Sequence, residues 1–207
     1  ITNLDYEIML HEIYHALGLK HPFEADGDNT NVLGSREDTS PYTVMSYNLD
    51  PSTFAGDARV LDVMALTELY GVNPSYRLED DTYEFSNSSG VFIVDGGGRD
   101  TVAYQGSQNV FVDLRSGGHS FIGSKSAYIT SANPLTISNG SLIENATTGS
   151  DNDTIIGNAL NNTLSSGGGD DRIFAGEGRD TVISGRGADV IDLSEGGQAR
   201  ETVKFNG

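Results

Sequence analysis

A polar residue recurs at every ninth position near the end of the chain. The positions are Asp153, Asn162, Asp171, Asp180 and Asp189. An aliphatic residue stands two places after each of them: Ile155, Leu164, Ile173, Val182 and Ile191. Glycine-rich segments precede the polar residue, as at 167–169 and 176–178. A disordered Gly/Asp linker would not keep an aliphatic residue at a fixed period, so the spacing predicts a solenoid of short stacked strands.

These repeats resemble G-G-x-G-x-D-x-U-x, the calcium-binding nonapeptide of RTX proteins. In such a parallel β-roll two nonapeptides make one turn, and each aliphatic side chain points into a thin core. The glycine turns bring backbone carbonyls close together, and each aspartate adds a hard oxygen ligand that suits Ca²⁺. Residues eighteen apart then share a side. The predicted calcium ligands are therefore Asp153, Asp171 and Asp189 on one edge, with Asn162 and Asp180 on the other.

One further copy of the template lies well before the main array. It covers residues 95–102 and adds Asp100 to the predicted calcium ligands. The copy that leads to Asn162 departs from the consensus, because residues 157–161 are poor in glycine and an asparagine replaces the aspartate.

A second pattern, near the start of the chain, predicts a metal site of another kind. His11, Glu12, His15, Gly18 and His21 spell H-E-x-x-H-x-x-G-x-x-H. On a helix, residues four apart lie on one face, so the first two histidines can bind the same ion while Glu12 stands beside it as a general base. Gly18 can adopt the left-handed conformation that ends a helix, which lets His21 reach that ion. A bare H-E-x-x-H also occurs on ordinary helices, and the added glycine and third histidine favour the metal site.

The segment at residues 42–47 narrows the interpretation. The eleven-residue motif followed by a Met-turn is the metzincin signature. The chain is similar to one branch of that group, the serralysins, because it also has Pro22 and the sequence Met45, Ser46, Tyr47. Serralysins are secreted bacterial zinc proteases. The resemblance implies that zinc binds His11, His15 and His21. It also implies that Met45 packs beneath the site, and that Tyr47 is a further zinc ligand and a catalytic residue that supports the transition state.

The coarse pattern of the chain predicts an α+β fold in two domains. Residues 1–78 are expected to be the C-terminal half of a mainly helical metzincin catalytic domain, with helices at 3–17 and 58–70. Leu10, Ile13 and Leu17 form an apolar stripe on the first helix. Residues 79–207 are expected to form an all-β, RTX-type calcium-binding roll with flanking strands, with β segments at 82–85, 91–94, 101–104, 109–114 and 120–122.

Composition restricts the partners. The 207 residues carry a formal net charge of −18, which argues against nucleic acid and against an anionic membrane. The periodic placement of the carboxylates suggests that divalent cations neutralise many of them. There is no cysteine, so neither disulfides nor thiolate metal sites are available. His119 stands in a polar stretch and is expected to be solvated.

The resemblance also sets expectations about what lies outside the chain. A metzincin domain has a twisted sheet and another helix before the active-site helix, whereas only ten residues precede His11. The chain is therefore expected to be a fragment that is inactive alone and that needs the N-terminal part of the same protease as a partner. We expect type I export and an extracellular location.

The resulting prediction is a secreted zinc- and calcium-dependent endopeptidase that hydrolyses peptide bonds of extracellular proteins by a metal-activated water. One alternative is a non-catalytic calcium-binding adhesion or export module with a vestigial protease half. The presence of Glu12 argues against it, because a vestigial site has no need of the base. A second alternative is a structural zinc site closed by a fourth protein ligand. No cysteine or fourth histidine near the motif supports it.

Overall fold

The computed structural model describes residues 3–25, 27, 30–48, 58–87, 90–126, 134–194 and 201–205. The Cα positions divide the chain into two compact units, Ile1–Gly71 and Val72–Gly207. The described residues contain two helices, both in the first unit, and thirteen strands, all in the second. No helix in the described part of the chain is both long and apolar enough to cross a bilayer.

The first unit consists of helix α1 (Asn3–Ala16), a long connection and helix α2 (Val60–Tyr70). Helix α1 ends because Gly18 takes a φ of 95°, and the amide of Leu19 then donates to the carbonyl of Tyr14 at 2.9 Å. Helix α2 ends in a similar way at Gly71, where φ is 75°. The C-terminal ends of both helices lie within one or two residues of the predicted ends.

The core of the first unit lies between α1, the turn at residues 42–47 and α2. Tyr14, Leu19, Val44 and Met45 are buried there, and Leu10 packs against them. The predicted apolar stripe is only partly correct, because Ile13 is 43% and Leu17 is 37% exposed. Among the described side chains of α1, those that are buried are Glu7 and Tyr14.

The second unit is a roll of two sheets. One sheet has six strands in the order β1-β3-β7-β9-β11-β13, and the other has seven in the order β12-β10-β8-β4-β5-β6-β2. The strands are β1 (Thr82–Glu84), β2 (Val91–Ile93), β3 (Thr101–Ala103), β4 (Val110–Asp113), β5 (His119–Ile122), β6 (Leu135–Ile137), β7 (Asn145–Thr147), β8 (Thr154–Asn158), β9 (Thr163–Ser165), β10 (Arg172–Gly176), β11 (Thr181–Ile183), β12 (Val190–Asp192) and β13 (Thr202–Lys204). Pairing is parallel except for β4 with β5 and β5 with β6.

The strand register follows the repeat. Ile155 pairs with Ile173 in one sheet, and Leu164 pairs with Val182 in the other, so each pair is eighteen residues apart. All four side chains have 0% exposure and meet in the layer between the sheets. Complete burial stabilises each of them by about 1.5–3 kcal/mol, which explains why the period must keep an aliphatic residue at these positions. The predicted parallel β-roll is confirmed.

Two features of the second unit differ from the sequence-based expectation. The strands β6, β7 and β13 were not foreseen: β6 and β13 lie outside the nine-residue array, and β7 continues it only through the small Ala146, nine places before Ile155. His119 does not stand in a solvated loop: it begins β5, and its Nδ1 lies 2.8 Å from the hydroxyl of Thr136. Burial lowers the pKa of His119, so the ring is held in its neutral form near pH 7.

Candidate metal centres

The three histidines of the N-terminal motif converge on one point. The Nε2 atom of His21 lies 3.2 Å from that of His11 and 3.0 Å from that of His15. Nitrogen ligands at about 2.0–2.1 Å from a tetrahedral zinc ion are separated by about 3.3 Å, so the arrangement matches the size of a zinc site. It is also one of two groups of potential metal ligands among the described residues.

Two of these rings are oriented by backbone carbonyls. Nδ1 of His11 lies 2.7 Å from the carbonyl oxygen of Val44, and Nδ1 of His15 lies 2.9 Å from that of Leu19. A carbonyl oxygen only accepts, so both Nδ1 atoms carry the proton. Each Nε2 therefore keeps its lone pair for a metal ion, which is the tautomer that a histidine ligand needs.

His21 is placed by the chain that leaves Gly18. Its ring stacks on Phe23, with the centroids 5.1 Å apart and the planes at 5°. Oε2 of Glu24 lies 3.0 Å from its Nδ1. That spacing meets the distance of an ion pair, but the atoms do not have the angular geometry of a hydrogen bond.

Glu12 and Tyr47 border the same region. Glu12 lines a cavity of about 380 Å³ together with His11 and Tyr47. The ring of Tyr47 is 63% exposed, and its centroid lies 4.5 Å from that of His21 and 5.7 Å from that of His11. Met45, by contrast, is 1% exposed in the core below the turn. A base and a phenol thus lie on the open side, and a thioether lies on the buried side.

The aspartates of the repeat form regular columns in the second unit. The backbone amide of Asp153 donates to Oδ1 of Asp171 at 2.8 Å, and the amide of Asp171 donates to Oδ1 of Asp189 at 3.1 Å. We call these three residues the aspartate ladder. On the other edge the amide of Asn162 donates to Oδ1 of Asp180 at 2.7 Å. The structure therefore groups the five positions on two edges, as the eighteen-residue period predicts.

The ladder leaves carboxylate oxygens buried without a hydrogen bond. Oδ2 of Asp153 and Oδ2 of Asp171 are in this state, although the two residues are 2% and 1% exposed. Burial raises the pKa of both carboxyl groups. An unpaired buried oxygen is costly, and a cation would compensate it. Glycine lets the backbones of successive turns approach closely, because a Cβ on Gly185 would overlap the carbonyl oxygen of Gly167.

Asn162 differs from the aspartates. Its Nδ2 donates to the carbonyl of Glu144 at 2.8 Å and to Oδ1 of Asn158 at 3.0 Å. Its Oδ1 accepts the amide of Asn158 at 3.0 Å. The amide group is thus already engaged with protein partners, in agreement with the departure of this copy from the consensus.

The isolated copy builds a compact acidic cluster. Single oxygens of Asp81, Asp95 and Asp100 lie within 4.8 Å of one another. Asp95 and Asp100 are 0% exposed, and Oδ2 of Asp100 has no hydrogen bond. Burial, aided by the neighbouring charges of Asp95 and Glu144, raises the pKa of Asp100 to about 6. A carboxylate whose charge is disfavoured in this way fits a site that a cation completes.

Sequence reasoning missed several acids of these sites. Asp95 stands five places before Asp100 in the same glycine-rich copy, so its own position was a usable signal. Two glutamates take the ladder position of an aspartate: Oε2 of Glu144 accepts the amide of Asp100 at 2.8 Å, and Oε2 of Glu201 accepts that of Asp180 at 2.7 Å. Glu144 stands nine places before Asp153, so extending the period backward would have identified it, whereas Glu201 stands twelve places after Asp189 and lies outside the period.

Comparisons with known proteins support the calcium-binding repeat and relate the chain to bacterial metalloproteases. The RTX calcium-binding nonapeptide repeat matches residues 140–169, 147–182 and 156–191. The chain is 35% identical over 182 residues to a serralysin of Proteus mirabilis, which covers 75% of this chain and 36% of that protein. It is 35% identical over 192 residues to the metalloprotease AprA of Pseudomonas entomophila (78% and 38%). Serralysin G of Dickeya chrysanthemi is 34% identical over 189 residues (79% and 38%). The chain thus spans less than two fifths of the length of these relatives.

Proposed function

Because this chain carries RTX calcium-binding repeats and is related to the serralysins, we propose that it belongs to a secreted zinc endopeptidase whose β-roll binds calcium. The observation that carries the proposal is the convergence of three Nε2 atoms at 3.0–3.2 Å beside Glu12 and an open cavity. A structural zinc site would be closed by a fourth ligand, whereas Glu12 here borders open space.

In the proposed mechanism Nε2 of His11, His15 and His21 would hold a zinc ion. A zinc ion held there would act as a Lewis acid and would make a bound water acidic enough to ionise near neutral pH. Glu12 would take a proton from the attacking water and deliver it to the leaving amine. The phenol of Tyr47 donates a hydrogen bond to the oxyanion that develops, and one such donor contributes about 3 kcal/mol.

The calcium part of the proposal rests on carboxylate oxygens that are buried in the roll without a hydrogen bond. Asp153, Asp171 and Asp189, together with Asp180 and Asp100, would supply carboxylate ligands, while the glycine turns supply carbonyls. The observation that supports this is the burial of Oδ2 of Asp100, Asp153 and Asp171 without a hydrogen-bond partner. Asn162 would contribute least, because its amide is already bonded to protein.

The test uses the complete protein that the gene encodes. Metal analysis should find one zinc ion that is lost on His15→Ala, and the purified protein should cleave casein until a chelator is added. Glu12→Gln should retain zinc and lower kcat by at least about 10²-fold, since general-base catalysis contributes 10²–10⁴. Zinc binding without cleavage by the unaltered protein would favour the non-catalytic calcium-binding module instead.

A further inference from the structure

We infer that Asp62, at the start of α2, is a positioning residue for the zinc site: it holds the Thr43–Met45 turn, and through that turn the ring of His11. The inference rests on the proposed function, because it assigns His11 the role of a zinc ligand. Asp62 belongs to neither sequence motif, and its hydrogen bonds go to Thr43, Val44 and Arg59.

Asp62 is the acceptor for three hydrogen bonds in the core of the first unit. It is 1% exposed. Its Oδ1 accepts the hydroxyl of Thr43 at 2.5 Å, and its Oδ2 accepts the backbone amides of Val44 and Arg59, both at 3.0 Å. The bond from the amide of Arg59 caps the first turn of α2. The other two fasten the Met-turn to α2 across a sequence separation of about eighteen residues.

The two bonds to the turn control one peptide group. The carbonyl of Val44 accepts Nδ1–H of His11 at 2.7 Å. The same peptide ends in the amide of Met45, which donates to the hydroxyl oxygen of Thr43 at 3.0 Å. Thr43 in turn donates to Asp62, and the amide of Val44 donates to Asp62 directly. Rotation of the peptide that orients His11 would therefore break contacts on both of its sides.

A carboxylate is required for this arrangement. Only a side chain with two acceptor oxygens can accept hydrogen bonds from the hydroxyl of Thr43 and from both backbone amides at once. Alanine at position 62 would leave the amide of Val44 buried without an acceptor, which favours a different orientation of the turn. An asparagine with its oxygen toward the amides keeps those two bonds and loses only the bond from Thr43. The outer partners of metal ligands typically change metal affinity by 10- to 100-fold when they are removed.

The experiment compares zinc affinity and the state of His11 in the whole chain. Zinc dissociation constants are measured by chelator competition, and the Nδ1–H proton of His11 is followed by NMR in the metal-free protein. Asp62→Ala should raise the dissociation constant by about 10- to 100-fold and expose the His11 proton to rapid solvent exchange. Asp62→Asn should retain that proton and weaken zinc binding less than tenfold.

A matched control separates positioning from loss of stability. Thr67 is buried in the same helix, and its hydroxyl bonds to the carbonyl of Met64 rather than to the turn. Thr67→Val should therefore lower the melting temperature without changing zinc affinity or the His11 proton. If Thr67→Val weakens zinc binding as much as Asp62→Ala does, the inference is wrong.

The remaining outcomes are also decisive. A wild-type chain that binds no zinc contradicts the proposed function itself. A wild-type chain that binds zinc, beside a folded Asp62→Ala variant with unchanged affinity and an unchanged His11 proton, overturns the inference alone. If Asp62→Ala does not fold, Thr43→Val takes its place, because it removes one of the two links to the turn. It should weaken zinc binding at least about threefold, and unchanged affinity would again overturn the inference.

Discussion

At the scale of single residues, the spacing of side chains predicts ligands better than it predicts the groups that orient them. His11, His15 and His21 could be chosen from sequence because a helix and one glycine turn fix their relative positions. Asp62 could not, because an acid in the first turn of a helix is usually explained by capping. Its contacts with Thr43 and Val44 depend on how a distant turn packs, and no periodicity records that packing.

Tyr47 allows the sharpest prediction at this scale. If its phenol supports the oxyanion, Tyr47→Phe in the encoded protein should lower kcat by about 10²-fold and leave KM nearly unchanged, because the hydrogen bond forms only in the transition state. Steady-state kinetics on a defined peptide measure both constants. Since the ring itself stays in place next to His21, an unaltered kcat would assign Tyr47 a packing role.

At the scale of elements, the eighteen-residue turn explains why some strands were predictable. The repeat fixes β8 to β12, because each strand must place one aliphatic side chain in the core. It says nothing about β5 and β6, which interrupt the parallel order with antiparallel pairing. Such an insertion depends on turn geometry and on packing against β4 rather than on a period.

The ladder makes a prediction about two positions nine residues apart. Asp171→Ala should raise the calcium concentration needed for folding more than Asn162→Ala does. The reason is that Oδ2 of Asp171 is buried without a hydrogen bond that meets geometric criteria, whereas the amide of Asn162 is already bonded to Asn158 and Glu144. Calcium titrations followed by circular dichroism provide the midpoints. Equal shifts for the two variants would contradict the assignment.

The pKa shifts of the buried acids predict an unusual pH dependence without calcium. Burial raises the pKa of Asp153 and Asp171, and it raises that of Asp100 to about 6. An acid with a raised pKa in the folded state stabilises that state below its unfolded pKa, near 4, and this contribution is lost as pH rises through the folded value. In a chelator, the melting temperature of the second unit should therefore fall between about pH 4 and pH 6.

Calorimetry with and without calcium measures whether the melting temperature falls or rises with pH. Saturating calcium should reverse the trend, because the ion binds carboxylates only after they lose their protons. Asp100→Asn should reduce the slope in the chelator. A melting temperature that rises over this range without calcium would show that the buried acids do not dominate.

At the scale of the whole molecule, a net charge of −18 acts on a chain whose second unit buries many of its acids. Stacked carboxylates about 5 Å apart repel one another unless cations lie between them. We therefore expect residues 148–192 to be largely disordered in a chelator near pH 7, where their carboxyl groups are charged, and to gain strand structure at millimolar Ca²⁺. Circular dichroism across a calcium titration measures the gain, and a flat titration would contradict it.

The aspartate ladder also has a direction. The amide of Asp153 takes its acceptor from Asp171, and that of Asp171 takes its acceptor from Asp189, so each turn is completed by a residue eighteen places later. A chain that emerges amino end first from a ribosome or an export pore must therefore wait for the following turn before any rung can close. For such a chain the rungs close in sequence order but one turn late, because Asp153 gains its acceptor only when Asp171 has emerged, and Asp171 only when Asp189 has.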